Sequence, residues 1–221
     1  MAIKDALGGI SWSEWPAELK DREEAALNQK REELAGEIAF YKFQQFMFLK
    51  QWKALKAYAN EKGIRIIGDI PIYVAFDSAD SWAHPELFQF DEECQPVAVA
   101  GCPPDAFSAT GQLWGNPLYR WDYHKKTGFS WYDMVRVDHF RGFDQYYAIP
   151  FGETTAIHGA WEDGPGIAIF EKIKEVFGKV NIIAEDLGFL TPSVLKLLED
   201  TGFPGMKVLE FAFQAGEESS Y

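Results

Sequence analysis

The sequence is short of cysteine, histidine and positive charge, and each shortage removes a class of function. Two cysteines occur in 221 residues. Cys94 and Cys102 lie in a polar, proline-containing stretch without the paired Cys and His spacing of a zinc site, so free thiols are expected, with a local disulfide left open. Of the four histidines, His84, His124 and His158 are scattered without metal-ligand spacing, and no metal is expected. The formal net charge is −13, a surface that repels nucleic acid and anionic membranes, so neither is an expected partner and a neutral substrate is the simpler assumption. No apolar run approaches the roughly 20 residues that span a bilayer, and the N-terminus has no basic region followed by an apolar one, so the expected location is cytoplasmic. Glycine-rich phosphate loops are missing as well. Gly8-Gly9 and Gly202 to Gly205 do not have Walker or dinucleotide spacing, and no cofactor is expected.

What is abundant is aromatic and apolar. Hydrophobic residues make up 47% of the chain and aromatic ones 16%, with eight Trp and nine Tyr, enough for one sizeable globular domain or a large piece of one. Aromatic faces fill cores and also stack on the apolar faces of sugar rings, and composition alone does not choose between these uses.

Met1 to Pro16 reads as an irregular packed loop built on Trp12 and Trp15. From Ala17 to Asn60 the chain is rich in Ala, Glu, Lys and Leu, which predicts helices with a break near Asn28 and a long helix from about Arg31. Leu34, Ile38, Tyr41, Phe46, Leu49, Trp52, Leu55 and Ala59 recur at spacings of three and four, so one face of that helix is expected in the core. Gly63 supplies its stop. Residues 1–63 are thus expected to be a helical segment packing on the rest of the chain. Residues 64–221 carry short apolar runs: Ile64 to Val74, Tyr132 to Gly142, Val180 to Gly188 and Met206 to Phe213. Helices are predicted over Gly164 to Phe177 and from Thr191-Pro192 to Gly202, the second with a threonine cap and a proline in its first turn. Beta, alpha, beta, alpha, beta in this order with short turns implies a parallel sheet with right-handed crossovers. Residues 75–131 interrupt it as a loop insertion with few periodic stretches and many Pro and Gly.

The apolar runs end in charge. Met134, Val135 and Val137 suit a strand core, whereas Arg136, Asp138, His139 and Arg141 gather at its C-terminal end. With a period of two, Arg136 and Asp138 share a side, and a guanidinium there favours the ionised carboxylate. Alone this pair is more often the pattern of a buried ion pair that only fixes packing. A second run ends in Glu185 and Asp186, and a third in Asp69, and such repetition points to a site. Parallel strands with catalytic-type residues at their C-terminal ends match the active face of a (β/α)8 TIM barrel, of which about four parallel strands are visible; a doubly wound sheet is the alternative, and the missing phosphate loop counts against it. His139 would face away from the side that Asp138 faces, and Asp186 away from Glu185.

At this point the chain resembles the amylomaltases, or 4-α-glucanotransferases, also called disproportionating enzymes, within the α-amylase-like barrel enzymes. The resemblance lies in Gly68-Asp-Ile-Pro-Ile-Tyr-Val74, Pro103 to Tyr119, Val135-Arg-Val-Asp-His-Phe-Arg-Gly142, Ile183-Ala-Glu-Asp-Leu-Gly188 and Gly205 to Phe213, all in the family's order. It implies α-1,4-glucans and maltooligosaccharides as partners, Asp138 as nucleophile and Glu185 as general acid/base. It further implies that Asp69 and Arg136 hold nucleophile and sugar, and that Phe107, Gln112 and Trp114 form a loop over the substrate groove. In a retaining double displacement the two carboxyl groups stand roughly 5 Å apart. The family's third carboxylate and its first two barrel strands are not in the chain, and between Trp131 and Tyr132 the family carries a helix that is missing here; Ala106 stands where an aromatic is common. The expectation is part of a barrel that depends on other segments of the same protein. An α-amylase-like hydrolase and a non-catalytic glucan-binding fragment are the alternatives.

Overall fold

The computed structural model describes residues 1–66, 71–105, 108–127, 138–178, 180, 182–187 and 190–206. The chain divides into two units, one of Met1–Ile67, Ala75–Pro85 and Phe90–Gln95, the other of Gly68–Val74, Glu86–Gln89 and Pro96–Tyr221.

The first unit is helical. It comprises α1 (Ala2–Ala6), a 3-10 turn at Trp12–Glu14, α2 (Ala17–Lys20), α3 (Glu24–Glu33), α4 (Ala35–Glu61) and α5 (Ala79–Ala83). Its core is Trp12, Trp15 and Leu19, against which Leu27, Phe76, Trp82 and Phe90 pack. Indoles bury large area but must place an N–H. Trp12 donates to the Phe76 carbonyl at 2.8 Å and Trp82 to the Leu19 carbonyl at 3.0 Å, so these rings also fix loop backbone. The opening is therefore more regular than an irregular loop, because the two tryptophans hold a short helix and a 3-10 turn against α2.

Two expectations for the long helix change. The break falls at Leu34 (φ −107°), which ends α3 and begins α4, and not near Asn28. No residue of α4 is buried, and Phe40, Phe46, Leu55 and Tyr58 are each more than half exposed. Periodicity tells which residues share a face; it does not supply a partner to cover that face. The stop is as expected. Gly63 at φ 76° lets its own N–H reach the Asn60 carbonyl and that of Ile64 reach Ala59, a Schellman closure.

The second unit holds a four-stranded sheet of β1 (Ala98–Cys102), β2 (Gln112–Pro117), β3 (Gln145–Pro150) and β4 (Ala160–Asp163), in the order β2-β1-β3-β4. Every pairing in it is antiparallel. Two of these strands lie inside the stretch expected to be loop. Their small residues and glycines hide the alternation that marks a strand, yet Gly101 is required. Any side chain there would strike the Gln112 carbonyl and Ile149 from the flanking strands. Val99, Tyr147, Ile149 and Ala156 pack on one side of the sheet, with the Tyr147 hydroxyl donating to the Ala156 carbonyl at 3.0 Å.

Beside the sheet lie α6 (Trp121–Thr127), a 3-10 turn at Phe140–Phe143, α7 (Ile167–Phe177) and α8 (Pro192–Thr201). Phe140, Phe143, Phe170 and Phe203 form a ring-on-ring chain, with Phe170 within 5.4 Å of each of the others by centroid. The helix α8 begins and ends where expected, with the Thr191 hydroxyl accepting from the Val194 N–H and Gly202 left-handed at φ 68°. On either side of it, Ala184 and Gly205 form a parallel bridge, Ala184 donating to the Pro204 carbonyl at 3.0 Å. Among the described residues this isolated bridge is the one parallel pairing, and the four-stranded sheet itself is antiparallel where a parallel one was expected. The expected strand at Tyr132 to Val137, the core of the run ending at Asp69, and Lys207 to Phe213 lie outside the described residues.

Candidate active site

The site is built where two segments of the second unit meet. Asp138 and His139 make a turn that leads into the buried Phe140–Phe143 element. Two successive peptide N–H groups of this turn go to one residue: His139 donates to Glu185 Oε2 at 2.8 Å, and Phe140 to the Glu185 carbonyl at 3.0 Å. The other carboxylate oxygen, Oε1, accepts from Leu187 at 2.8 Å. Glu185 is thus gripped at both oxygens by backbone and lies against the peptide that links Asp138 to His139. Both carboxylates are half-buried.

Asp186 is used differently. It is buried, its Oδ1 accepts from the Met206 N–H at 2.6 Å, and its carboxylate occupies the space that a side chain at Gly205 would need. It ties the Glu185–Asp186 segment to the segment at Gly205–Met206.

A wall of rings stands over this junction. Trp114 on β2 packs edge-on against the His139 imidazole at 5.1 Å and near Tyr73 at 6.4 Å, and its indole N–H donates to Gln112 Oε1 at 3.1 Å. Trp114 is 36% exposed, so part of its side chain is within reach of solvent. Behind the wall, Arg141 is buried with its guanidinium 3.9 Å from the centre of the Trp161 ring. Burial pushes the Cys102 thiol up to about 11, aided by the charges of Asp105 and Glu185, so Cys102 is a thiol and not a thiolate nucleophile at neutral pH. Both cysteines are free.

Burial, and then the nearby Arg141 charge, bring the His139 imidazole down to about 4. It is therefore neutral at pH 7. Because the folded value lies below the ordinary one of about 6.5, the folded protein binds fewer protons than the unfolded chain between about pH 6.5 and 4. Stability is then lost as the pH falls through that window, by up to about 3 kcal/mol from this group. Buried His124 is shifted in the same direction by its own desolvation. Urea denaturation at pH 7.5 and pH 5.0 is expected to show a larger acid loss for the native sequence than for His139→Asn; equal losses would contradict the shift.

Of the residues expected to form the site, Glu185 meets the peptide next to Asp138, and Trp114, bonded to Gln112, meets the neighbouring His139 ring. Asp69, Arg136 and Phe107 lie outside the described residues, as does the Trp131–Tyr132 junction. The role of His139 as the link between wall and carboxylate escapes sequence reasoning, because an uninterrupted strand would turn it away. Among the described residues no three His, Cys, Asp or Glu side chains converge as metal ligands, and no helix is long and apolar enough to cross a membrane.

The profile of a family described as 4-alpha-glucanotransferase matches residues 1–221. The chain belongs to the 4-alpha-glucanotransferase family. A relative of that name from Thermus thermophilus is 53% identical over 232 residues, covering 100% of this chain and 46% of its own. Another from Clostridium butyricum is 47% identical, covering 100% of this chain and 48% of its own. Among solved structures, the amylomaltase from Streptococcus agalactiae in complex with acarbose superposes with a TM-score of 0.92 at 48% identity, over 96% of this chain and 46% of that one. The chain spans about half the length of the 4-alpha-glucanotransferases it matches.

Proposed function

We propose that the protein carrying this chain is a 4-alpha-glucanotransferase that moves α-1,4-glucan segments between maltooligosaccharides by a retaining double displacement. Asp138 attacks the anomeric carbon as Glu185 protonates the departing glycosidic oxygen, leaving the donor segment esterified to Asp138. Glu185, now a carboxylate, takes the proton of an incoming 4-hydroxyl, whose oxygen displaces Asp138 and restores the α-linkage. The observation that carries this reading is the hydrogen bond from the His139 peptide, next to Asp138, to the Glu185 carboxylate, 2.8 Å long, in a chain of this family. The grip of two backbone donors on Glu185 fixes where its carboxyl group lies. The partly exposed Trp114 suits a sugar ring, and stacking on it would let an acceptor sugar exclude water, which favours transfer over hydrolysis.

In this reading Asp69 and Arg136 hold the nucleophile and the sugar, and Phe107 and Gln112 complete the groove with Trp114. Residues 64–221 belong to a (β/α)8 barrel, residues 75–131 are its inserted substrate loop, and residues 1–63 pack on it. The remaining barrel segments of the same protein complete the fold, and acarbose, bound by the Streptococcus agalactiae amylomaltase, is expected to compete for the groove. Two free thiols fit a cytoplasmic location. The test is incubation with maltotriose. Transfer gives glucose together with maltooligosaccharides longer than the substrate; products no longer than the substrate would indicate hydrolysis and reject the proposal.

A further inference from the structure

We infer that His139 is a positioning residue for Glu185, acting through its left-handed backbone and peptide N–H; the inference rests on the reading of Glu185 as the acid/base. His139 sits at φ 50°, ψ 52°, a conformation that costs a residue with a Cβ about 1 to 2 kcal/mol. In an extended chain, successive N–H groups point to opposite sides. The left-handed turn instead brings the N–H groups of His139 and Phe140 to the same residue, one to the Glu185 carboxylate at 2.8 Å and one to its carbonyl at 3.0 Å.

The imidazole keeps the turn in place. One edge meets Trp114 at 5.1 Å with the rings at 88°. On another side is Gly142, where a Cβ would come within 3.1 Å of the His139 ring and 2.7 Å of Ile72. The His139 carbonyl accepts from the Gly142 N–H at 2.8 Å, closing the turn on itself. His139 therefore couples the ring wall of the groove to the carboxylate that must deliver the proton, and it does so by geometry. The charged groups next to it are Asp138, Glu185 and Arg141.

The test compares two steps in the full-length protein carrying His139→Gly or His139→Val. Glycine adopts the left-handed turn freely and keeps the N–H; valine resists positive φ and swings the N–H away. The readouts are disproportionation of maltotriose, which needs a proton on the leaving oxygen, and the first-turnover release of fluoride from α-maltosyl fluoride, which does not. In the fluoride step the Asp138 oxygen bonds to the anomeric carbon as the carbon–fluorine bond breaks, and fluoride departs with the electron pair. The valine variant is expected to lose about 100-fold on maltotriose but less than about fivefold on the fluoride burst, and the glycine variant to lose several-fold less than valine on maltotriose. Where valine prevents folding, His139→Ala carries the same comparison. Equal losses on both substrates, or glycine as poor as valine, would overturn the inference. If Glu185→Gln itself keeps full maltotriose activity, the acid/base assignment fails and the inference with it.

Discussion

Glu185→Gln is expected to reduce maltotriose disproportionation by about 10³-fold while leaving the fluoride burst from α-maltosyl fluoride within about tenfold. The split reflects the role of the side chain. A sugar alkoxide is a poor leaving group and must be protonated as it departs, whereas fluoride departs as the anion. Glutamine keeps the shape of the side chain but can neither give nor take that proton. It also spoils the local hydrogen bonding. Glu185 accepts at both oxygens, from His139 and from Leu187 at 2.8 Å each, and an amide group turns one of these into a meeting of two donors. That mismatch costs on the order of 1 to 3 kcal/mol, so Tm is expected to fall by several degrees. The variant then loses activity far beyond what its stability loss explains. Equal loss on both substrates would remove Glu185 from the proton-transfer role.

Asp138→Asn is expected to abolish both reactions, by about 10⁴-fold or more, because neither leaving group departs productively without a nucleophile to form the glycosyl ester. This difference in pattern between the two carboxylates is what assigns them. Binding of maltooligosaccharide by the asparagine variant is expected to persist, since its groove keeps Trp114 and Gln112. A glucan-binding fragment without catalysis would instead show no effect of Asp138→Asn on any turnover, there being none to lose. Retention of more than about a tenth of the native fluoride burst would exclude Asp138 as the nucleophile.

The fold is most legible in the sequence where a local rule decides the outcome. Thr191-Pro192 starts α8 and Gly202 ends it, and Gly63 closes α4, because caps and positive φ are properties of a few adjacent residues. It is least legible where the outcome depends on distant residues. The stripe of Phe46, Trp52 and Leu55 has the spacing of a buried face, yet α4 has no buried residue. The strands Ala98–Cys102 and Gln112–Pro117 are hidden because glycine and alanine there answer to neighbouring strands, as Gly101 does to Gln112 and Ile149. At the site, residue type points to Asp138 and Glu185, and the order of motifs along the chain points to the family. The bond between His139 N–H and Glu185 is not legible, since it exists only because the chain turns left-handed one residue after Asp138. Strand alternation misplaces His139 because its backbone is left-handed and not extended.

The measurement that bears most directly on the whole account is the mass of the Glu185→Gln protein after incubation with α-maltosyl fluoride. With the nucleophile intact and base assistance removed, the glycosyl ester is expected to form and to persist, adding one maltosyl group to the protein. Peptide mapping is then expected to find that group on the peptide containing Asp138, with no adduct in the Asp138→Asn, Glu185→Gln double variant. An unmodified protein that still turns the fluoride over, or an adduct on any other carboxylate, would contradict the mechanism.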